Sequence, residues 1–291
     1  MAQRRFPVLV ATDGSPQARA AVKAAATFPW PRGSSGHGIV ARQTPVLTEA
    51  SAEVWEALQH VAQAEARRAE RQLRRRWPDA EVVVSDAPPV PGILAHARKR
   101  RARVIVLGSR GLGAVGRFLL GSVSRACVRQ AKCPVLVVRG SARTPRRFLL
   151  GVDGSPHARQ AAAFVAGFTP PRGGELHLLG VVEPVRLPST ALLPARARTV
   201  LTSEAAELDQ QRAALARRHL EAARARFARA GWRVRMEVRS GRPLEELLEA
   251  SKSADVLVVG ARGVGGMERL LLGSVAEGVV SRAQIPVLVV R

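Results

Sequence analysis

Apolar and polar positions alternate along this chain in two rhythms. Short, nearly unbroken runs such as Val8-Leu9-Val10-Ala11, Val104-Ile105-Val106-Leu107 and Val256-Leu257-Val258-Val259 read as strands buried on both faces. Between them, apolar residues recur every three or four positions, the mark of helices with one buried stripe. In the first half the pattern predicts a strand over 8–12 and a helix capped by Ser15-Pro16, with Ala18, Ala21, Val22 and Ala25 on one stripe. A long charged segment over 51–76 keeps Val54, Leu58 and Val61 on one face, and strand 81–85, helix 91–101, strand 103–107, helix 122–130 and strand 134–138 follow. The second strand is the weak member, since Gly36-His37-Gly38-Ile39-Val40-Ala41-Arg42 carries little apolar sequence. The second half predicts strand 176–182, a helix within 204–230 (Ala216, Leu220, Ala223 and Phe227 on one stripe), strand 233–238, helix 243–253 and strands 255–259 and 286–290. Parallel strands covered by helices on both faces place the chain in the α/β class.

The halves are copies of each other. Val8-Leu9-Val10-Ala11-Thr12-Asp13-Gly14-Ser15-Pro16 returns as Phe148-Leu149-Leu150-Gly151-Val152-Asp153-Gly154-Ser155-Pro156 at an offset of 140. Val104 to Gly111 returns as Val256 to Gly263, and Cys133 to Arg139 as Ile285 to Arg291, both at an offset of 152. The second copy therefore holds twelve more residues, most easily placed within 185–206. The expected domains are 1–140 and 148–291, joined by a linker over 141–147 rich in Arg, Ser and Pro.

Composition narrows the classes. A length of 291 residues suits two domains, and no apolar run approaches the ~18–20 residues of a membrane span. Arg4 and Arg5 precede only a short strand-like run, so no secretory leader is expected and the cytoplasm is the expected compartment. Two cysteines, Cys127 and Cys133, build neither a disulfide framework nor a zinc site. The net charge of +23 is spread over both halves and would draw polyanions, nucleotides included.

Ligands of open parallel sheets bind beyond the carboxyl ends of the strands. There the spacing Gly108-x2-Gly111-x9-Gly121-Ser122 repeats as Gly260-x2-Gly263-x9-Gly273-Ser274. Such glycines let backbone amides approach an anion, and Ser122 and Ser274 stand at helix starts, where the dipole and unpaired amides favour phosphate. Arg117 and Arg269, each four residues before the closing glycine, add charge.

At these residues the sequence resembles the universal stress protein family in its tandem, nucleotide-binding form, whose ATP signature is Gly-x2-Gly-x9-Gly-Ser/Thr. The resemblance covers nearly the whole chain. It implies two tandem doubly wound domains, each with a five-stranded parallel sheet of order 3-2-1-4-5. It also implies ATP (or ADP or AMP) across the strand ends, Mg²⁺ held through the phosphates rather than by protein side chains alone, and a regulatory role in stress adaptation. Carried over position by position, the nucleotide contacts in domain one are Ala11, Asp13, Ala41, Gly108, Arg110, Gly111, Gly113, Arg117, Gly121, Ser122 and Val123. In domain two they are Gly151, Asp153, Val181, Gly260, Arg262, Gly263, Gly265, Arg269, Gly273, Ser274 and Val275. Asp13 and Asp153 would meet the adenosine, and Ala41 and Val181 the adenine. Arg42 departs from the apolar stretch usual there, so the first pocket is expected to bind more weakly. The resemblance further implies antiparallel pairing of the last strands, 135–138 and 287–290, within one chain, and leaves room for a homodimer.

Other chemistry finds less support. Gly111-Leu112-Gly113-Ala114-Val115-Gly116 matches a dinucleotide fingerprint, but it follows a fourth strand and its second-copy counterpart ends on Glu268. His37 and His177 recur in the second strand and read as structural, while His60, His96, His157 and His219 lie on polar segments and read as solvated. No carboxylate pair or nucleophile–base arrangement repeats, so no catalytic residue is assigned, though slow ATP hydrolysis stays open. The competing reading is a polyanion or nucleic-acid binder using Arg74-Arg75-Arg76 and Arg98-Lys99-Arg100-Arg101, disfavoured by an aromatic content of 4%.

Overall fold

The computed structural model describes residues 6–41, 52–110, 120–140, 144–187, 194–228, 230–264 and 272–291. The first half runs β1 (Phe6–Thr12), α1 (Pro16–Thr27), β2 (Ser34–Ala41), α2 (Ala52–Arg74), β3 (Glu81–Ser85), α3 (Pro89–Lys99), β4 (Val104–Gly108), α4 (Ser122–Gln130) and β5 (Val135–Val138). The second runs β6 (Arg147–Gly151), α5 (Pro156–Ala166), β7 (Glu175–Val182), α6 (Ala195–Ala225), β8 (Arg233–Ser240), α7 (Pro243–Ser251), β9 (Val256–Gly260), α8 (Ser274–Arg282) and β10 (Val287–Val290). Each half is a parallel sheet of order 3-2-1-4-5, and the two join into one sheet of ten strands, β3-β2-β1-β4-β5-β10-β9-β6-β7-β8. The join is antiparallel, with Val135 facing Val289, Leu136 facing Leu288 and Val137 facing Val287, as the resemblance implies.

Successive strand residues feed opposite faces of the sheet. Val8, Val10, Leu136, Leu150, Val258 and Leu288 belong to one core, Leu9, Ile105, Val137, Leu149, Leu257 and Val289 to the other, and both cores run across the join. On the first face aromatic rings cross it too: Phe6–Phe164 at 5.6 Å, Phe28–Phe148 at 5.8 Å and Phe28–Phe168 at 5.5 Å between centroids. Contacts of this kind contribute about 0.5–1.5 kcal/mol each beyond the area they bury.

The weak second strand forms because its glycines are seats for other residues. A Cβ on Gly36 would lie 2.1 Å from the Trp77 ring, and one on Gly38 2.6 Å from Val82. Trp77, itself buried, donates through Nε1 to Ser34 Oγ at 3.1 Å. The long helices depart from expectation in two ways. On α2, Val54 and Val61 are 42% and 67% exposed, and the buried stripe is Ala62, Ala66, Ala69 and Leu73. The pattern had favoured the larger side chains, whereas small alanines let the helix sit close to the sheet. On α6 the buried stripe begins only at Leu220, so the residues added in the second copy lengthen an exposed first part of the helix, which starts at Ala195 rather than within 204–230.

Two arginines fasten the halves crosswise. Arg139, just past β5, donates through Nη2 to Val280 O (2.7 Å) and Ser281 O (3.1 Å) in the last turn of α8. Arg291, just past β10, does the same to Val128 O (2.6 Å) and Arg129 O (2.7 Å) in the last turn of α4. Each half thus supplies the cation that satisfies the unpaired carbonyls of the other half's last helix. Arg129 and Glu277 add an ion pair between the two helices at 2.6 Å.

Replacing Arg139 by Met should cost about 2 kcal/mol, the range of hydrogen bonds to a charged group. Hydrogen exchange should then speed up in the last turn of α8, in the opposite half, with α4 unaffected; Arg291→Met should give the mirror result.

A second outcome concerns pH. Burial is the largest cause holding His37, His96, His157 and His177 below the ordinary value of 6.5, followed by nearby arginines: Arg100 for His37 and His96, Arg262 for His157, Arg235 for His177. A base whose native pKa is depressed takes up its proton more readily when unfolded. These residues therefore leave stability intact above about pH 6.5 and lower it as pH falls toward their native values. Urea midpoints should drop between pH 7.5 and 5.5, and a His37→Gln/His96→Gln variant should lose less over that interval.

Candidate functional site

Within each half the strand order reverses between the first strand and the fourth, and the loops that follow these strands lie side by side. In the first half, Asp13 Oδ1 accepts from Ser15 N at 3.0 Å and so closes the turn. Ser15 Oγ accepts from Ala18 N (3.2 Å), capping α1, and donates to Arg110 O (3.3 Å), tying this turn to the loop after β4. The second half repeats every step: Ser155 N to Asp153 Oδ1 (2.9 Å), Ala158 N to Ser155 Oγ (3.1 Å) and Ser155 Oγ to Arg262 O (3.1 Å). There the other carboxylate oxygen, Asp153 Oδ2, accepts from Val264 N at 3.2 Å.

The glycines divide by role. Gly108 and Gly260 have packing reasons, because a Cβ would stand 2.7 Å from the backbone of Gln17 or His157 at the start of α1 or α5. Gly263 faces the site itself, where a Cβ would lie 2.7 Å from Asp153 Oδ2. Gly121 N donates to Ser109 O and Gly273 N to Ala261 O, both at 2.8 Å, which fixes the helix starts against the strand ends. Gly121 and Gly273 are the N-caps of α4 and α8, and neither helix has a side-chain cap, in contrast to α1 and α5. Ser122 and Ser274 are exposed at the first positions of these helices, with Val123 and Val275 half-buried beside them. Each site thus presents first-turn amides, a hydroxyl and the positive end of a helix to solvent.

Ala11 is buried at the end of β1, Gly151 ends β6, and Ala41 and Val181 lie at equivalent points late in β2 and β7. Ala41 is only 5% exposed, while Val181 is half-buried. Gly111, Gly113, Arg117, Gly265 and Arg269, with Arg42, lie outside the described residues.

Positive charge gathers at both sites. Burial and then Arg110 push the pKa of Arg139 down, and burial and then Arg262 do so for Arg291, so each site pairs a loop arginine with a cross-fastening one. His157 stands near Arg262, Arg291 and Asp153; burial first and then the arginines disfavour its charged form. Burial disfavours the thiolate by the same physics, pushing buried Cys127 up to about 12 and the more accessible Cys133 to about 11, so that alkylation is slowed at both. Among the described residues no group of three His, Cys, Asp or Glu could hold a metal ion. Among the described residues the chemistry available is anion binding and hydrogen-bond acceptance by Asp13 or Asp153.

Some participants escaped the sequence reading. Arg139 and Arg291 end matching Val-Val-Arg triplets, a signal present in the repeat itself. Glu65, 8% exposed and paired with Arg19 at 3.0 Å, covers Gly14; His219, expected to be solvated, instead lies against Gly154. These last two belong to distant helix positions that no local pattern links to the turns.

A family model described as the universal stress protein family matches residues 5–139 and again 144–291. A universal stress protein of Mycobacterium tuberculosis is 36% identical over 218 residues, covering 70% of this chain and 66% of that one, so the match spans just under two thirds of that relative. A second from the same species is 34% identical over 206 residues, 66% of this chain and 60% of the other. Among solved structures, a universal stress protein from Archaeoglobus fulgidus covers 98% of both chains at 20% identity, with a TM-score of 0.66. A functionally unknown protein from Pseudomonas aeruginosa covers 98% of this chain and 92% of its own at 18% identity and 0.60, and at such identities both report the fold alone.

Gly154 has φ +79°, and a Cβ there would fall 2.2 Å from His219 Cε1. Gly154→Ala should cost about 1–2 kcal/mol for the left-handed backbone and more for displacing the ring. Adding His219→Ala should return the second part, so that in a double-mutant cycle measured by urea unfolding the double variant loses less stability than the sum of the two single ones.

Proposed function

The chain belongs to the universal stress protein family, and on that footing we propose that each half binds one adenine nucleotide, ATP or its products ADP and AMP, in a regulatory role in stress adaptation. The observation that carries this reading is the repetition, in both halves and at the reversal of strand order, of a carboxylate turn tied by Ser15 or Ser155 to a loop that ends in an uncapped helix start.

The residues fit the group. First-turn amides of α4 and α8, with Ser122 and Ser274, would hold phosphate oxygens. Arg110 and Arg139, or Arg262 and Arg291, would balance the phosphate charge and steer the anion in. Asp13 and Asp153 would accept from the ribose hydroxyls; in the second half a ribose would replace the Val264 N–H that Asp153 Oδ2 now accepts. Ala41 and Val181 would lie along the adenine, and a Mg²⁺ carried by the phosphates would need no protein ligand.

Calorimetry with ATP should give two sites per chain. Gly263→Leu should remove one, because even a Cβ meets Asp153 Oδ2 at 2.7 Å. Unchanged stoichiometry in that variant would refute the assignment. The surviving first-half site should bind several-fold more weakly than the second-half site of a Gly121→Leu variant. Ala41 offers less apolar area than Val181, and a few tens of Å² at ~25 cal/mol per Å² amounts to about 1 kcal/mol.

A further inference from the structure

At the end of the first half away from its loops, a cavity of about 310 Å³ opens between the last turn of α3, the start of β4 and the turn from α4 to β5. Its apolar lining includes Leu94, Ile105 and Cys133, and four cations stand around it: Arg98, Arg101, Arg103 and Lys132. All four are exposed, and among the described residues no acidic side chain lines the cavity and none of the four cations has a hydrogen bond or a carboxylate partner.

The duplication supplies the control. Helix C-termini attract cations, so this cluster could answer only to the ends of α3 and α4. At the offset of 152 the same four positions in the second half hold Ala250, Ser253, Asp255 and Gln284, and α7 ends with no basic residue in its last turn. The architecture is thus satisfied without these charges. Arg101 is, moreover, the one described non-glycine residue with positive φ, at 51°, placed where the helix stop (Ala102 N to Ala97 O, 2.8 Å; Arg101 N to Arg98 O, 3.0 Å) ordinarily favours glycine.

We propose that this cavity is a binding site for a small amphipathic carboxylate, its apolar body against the half-buried Leu94 and Ala102 and its anionic head among the four cations. The volume lies at the lower end of small-molecule sites, which are mostly apolar with a few fixed polar groups. A bare inorganic anion leaves the apolar lining unused. A nucleic acid would need stacking platforms, and among the described residues no aromatic side chain lines the cavity.

Octanoate is the probe, titrated into the full chain by calorimetry with ATP present so that the loop sites are not in question. Saturable one-to-one binding is expected, at least tenfold weaker in Arg103→Ser/Lys132→Gln, with octanol and inorganic phosphate showing none. Octanoate should also slow alkylation of Cys133, which lines the cavity. Both substitutions are at exposed positions, and an unchanged thermal midpoint would verify the fold. The proposal is overturned if octanoate does not bind, if the variant binds it equally well, if Cys133 gains no protection, or if only a DNA duplex binds at this face.

Discussion

The pairing of β5 with β10 governs the molecule. Strands of four residues each, buried on both faces, would expose their backbone donors and acceptors if either half stood alone. Facing each other about Leu136 and Leu288, they extend two five-stranded sheets into one and make both cores continuous. Because the pairing is antiparallel, the carboxyl ends of the two sets of strands point in opposite directions. The two candidate nucleotide sites therefore lie at opposite edges of the sheet, and each shares its edge with the base of the other half.

That arrangement explains the crosswise arginines. Arg139 leaves the sheet at the site edge of the first half, where the last turn of α8 ends, and Arg291 has the mirror position. Each guanidinium answers a carbonyl-rich helix end in one half while adding charge beside the site loop of its own. A ligand that draws on Arg291 therefore pulls on a group that also holds α4, and Arg291 acts on Cys133 as well, which lines the cationic cavity of the first half.

Much of this was legible in the sequence because it is local or repeated. The buried runs, the Ser15 and Ser155 caps and the doubled glycine spacing all carry their reasons within a few residues, and the family resemblance supplied strand order and the pairing of last strands. What was not legible depends on contacts between distant segments. Gly36 and Gly38 weaken a strand pattern for the sake of Trp77 and Val82, so the second strand looked poorer than it is. On α2 the choice of Ala62, Ala66 and Ala69 over Val54 and Val61 as the inner stripe follows from how closely the helix lies on the sheet. Gly108 and Gly260 belonged to the glycine spacing, yet their tightest constraint is the approach of α1 and α5.

The single covalent chain has a consequence for divergence. In an assembly of two identical subunits every substitution appears twice about the axis, so a charge introduced on one side is introduced on both. Joined in tandem, the halves escape that rule. Leu136 and Leu288 remain alike at the axis, while Arg103 and Asp255, equivalent in place, have parted: one stands at a cavity mouth, the other accepts from the amides of Arg146 and Arg147 at 2.9 and 2.8 Å. Within one chain, a nearly symmetric object has two sides that can be selected separately.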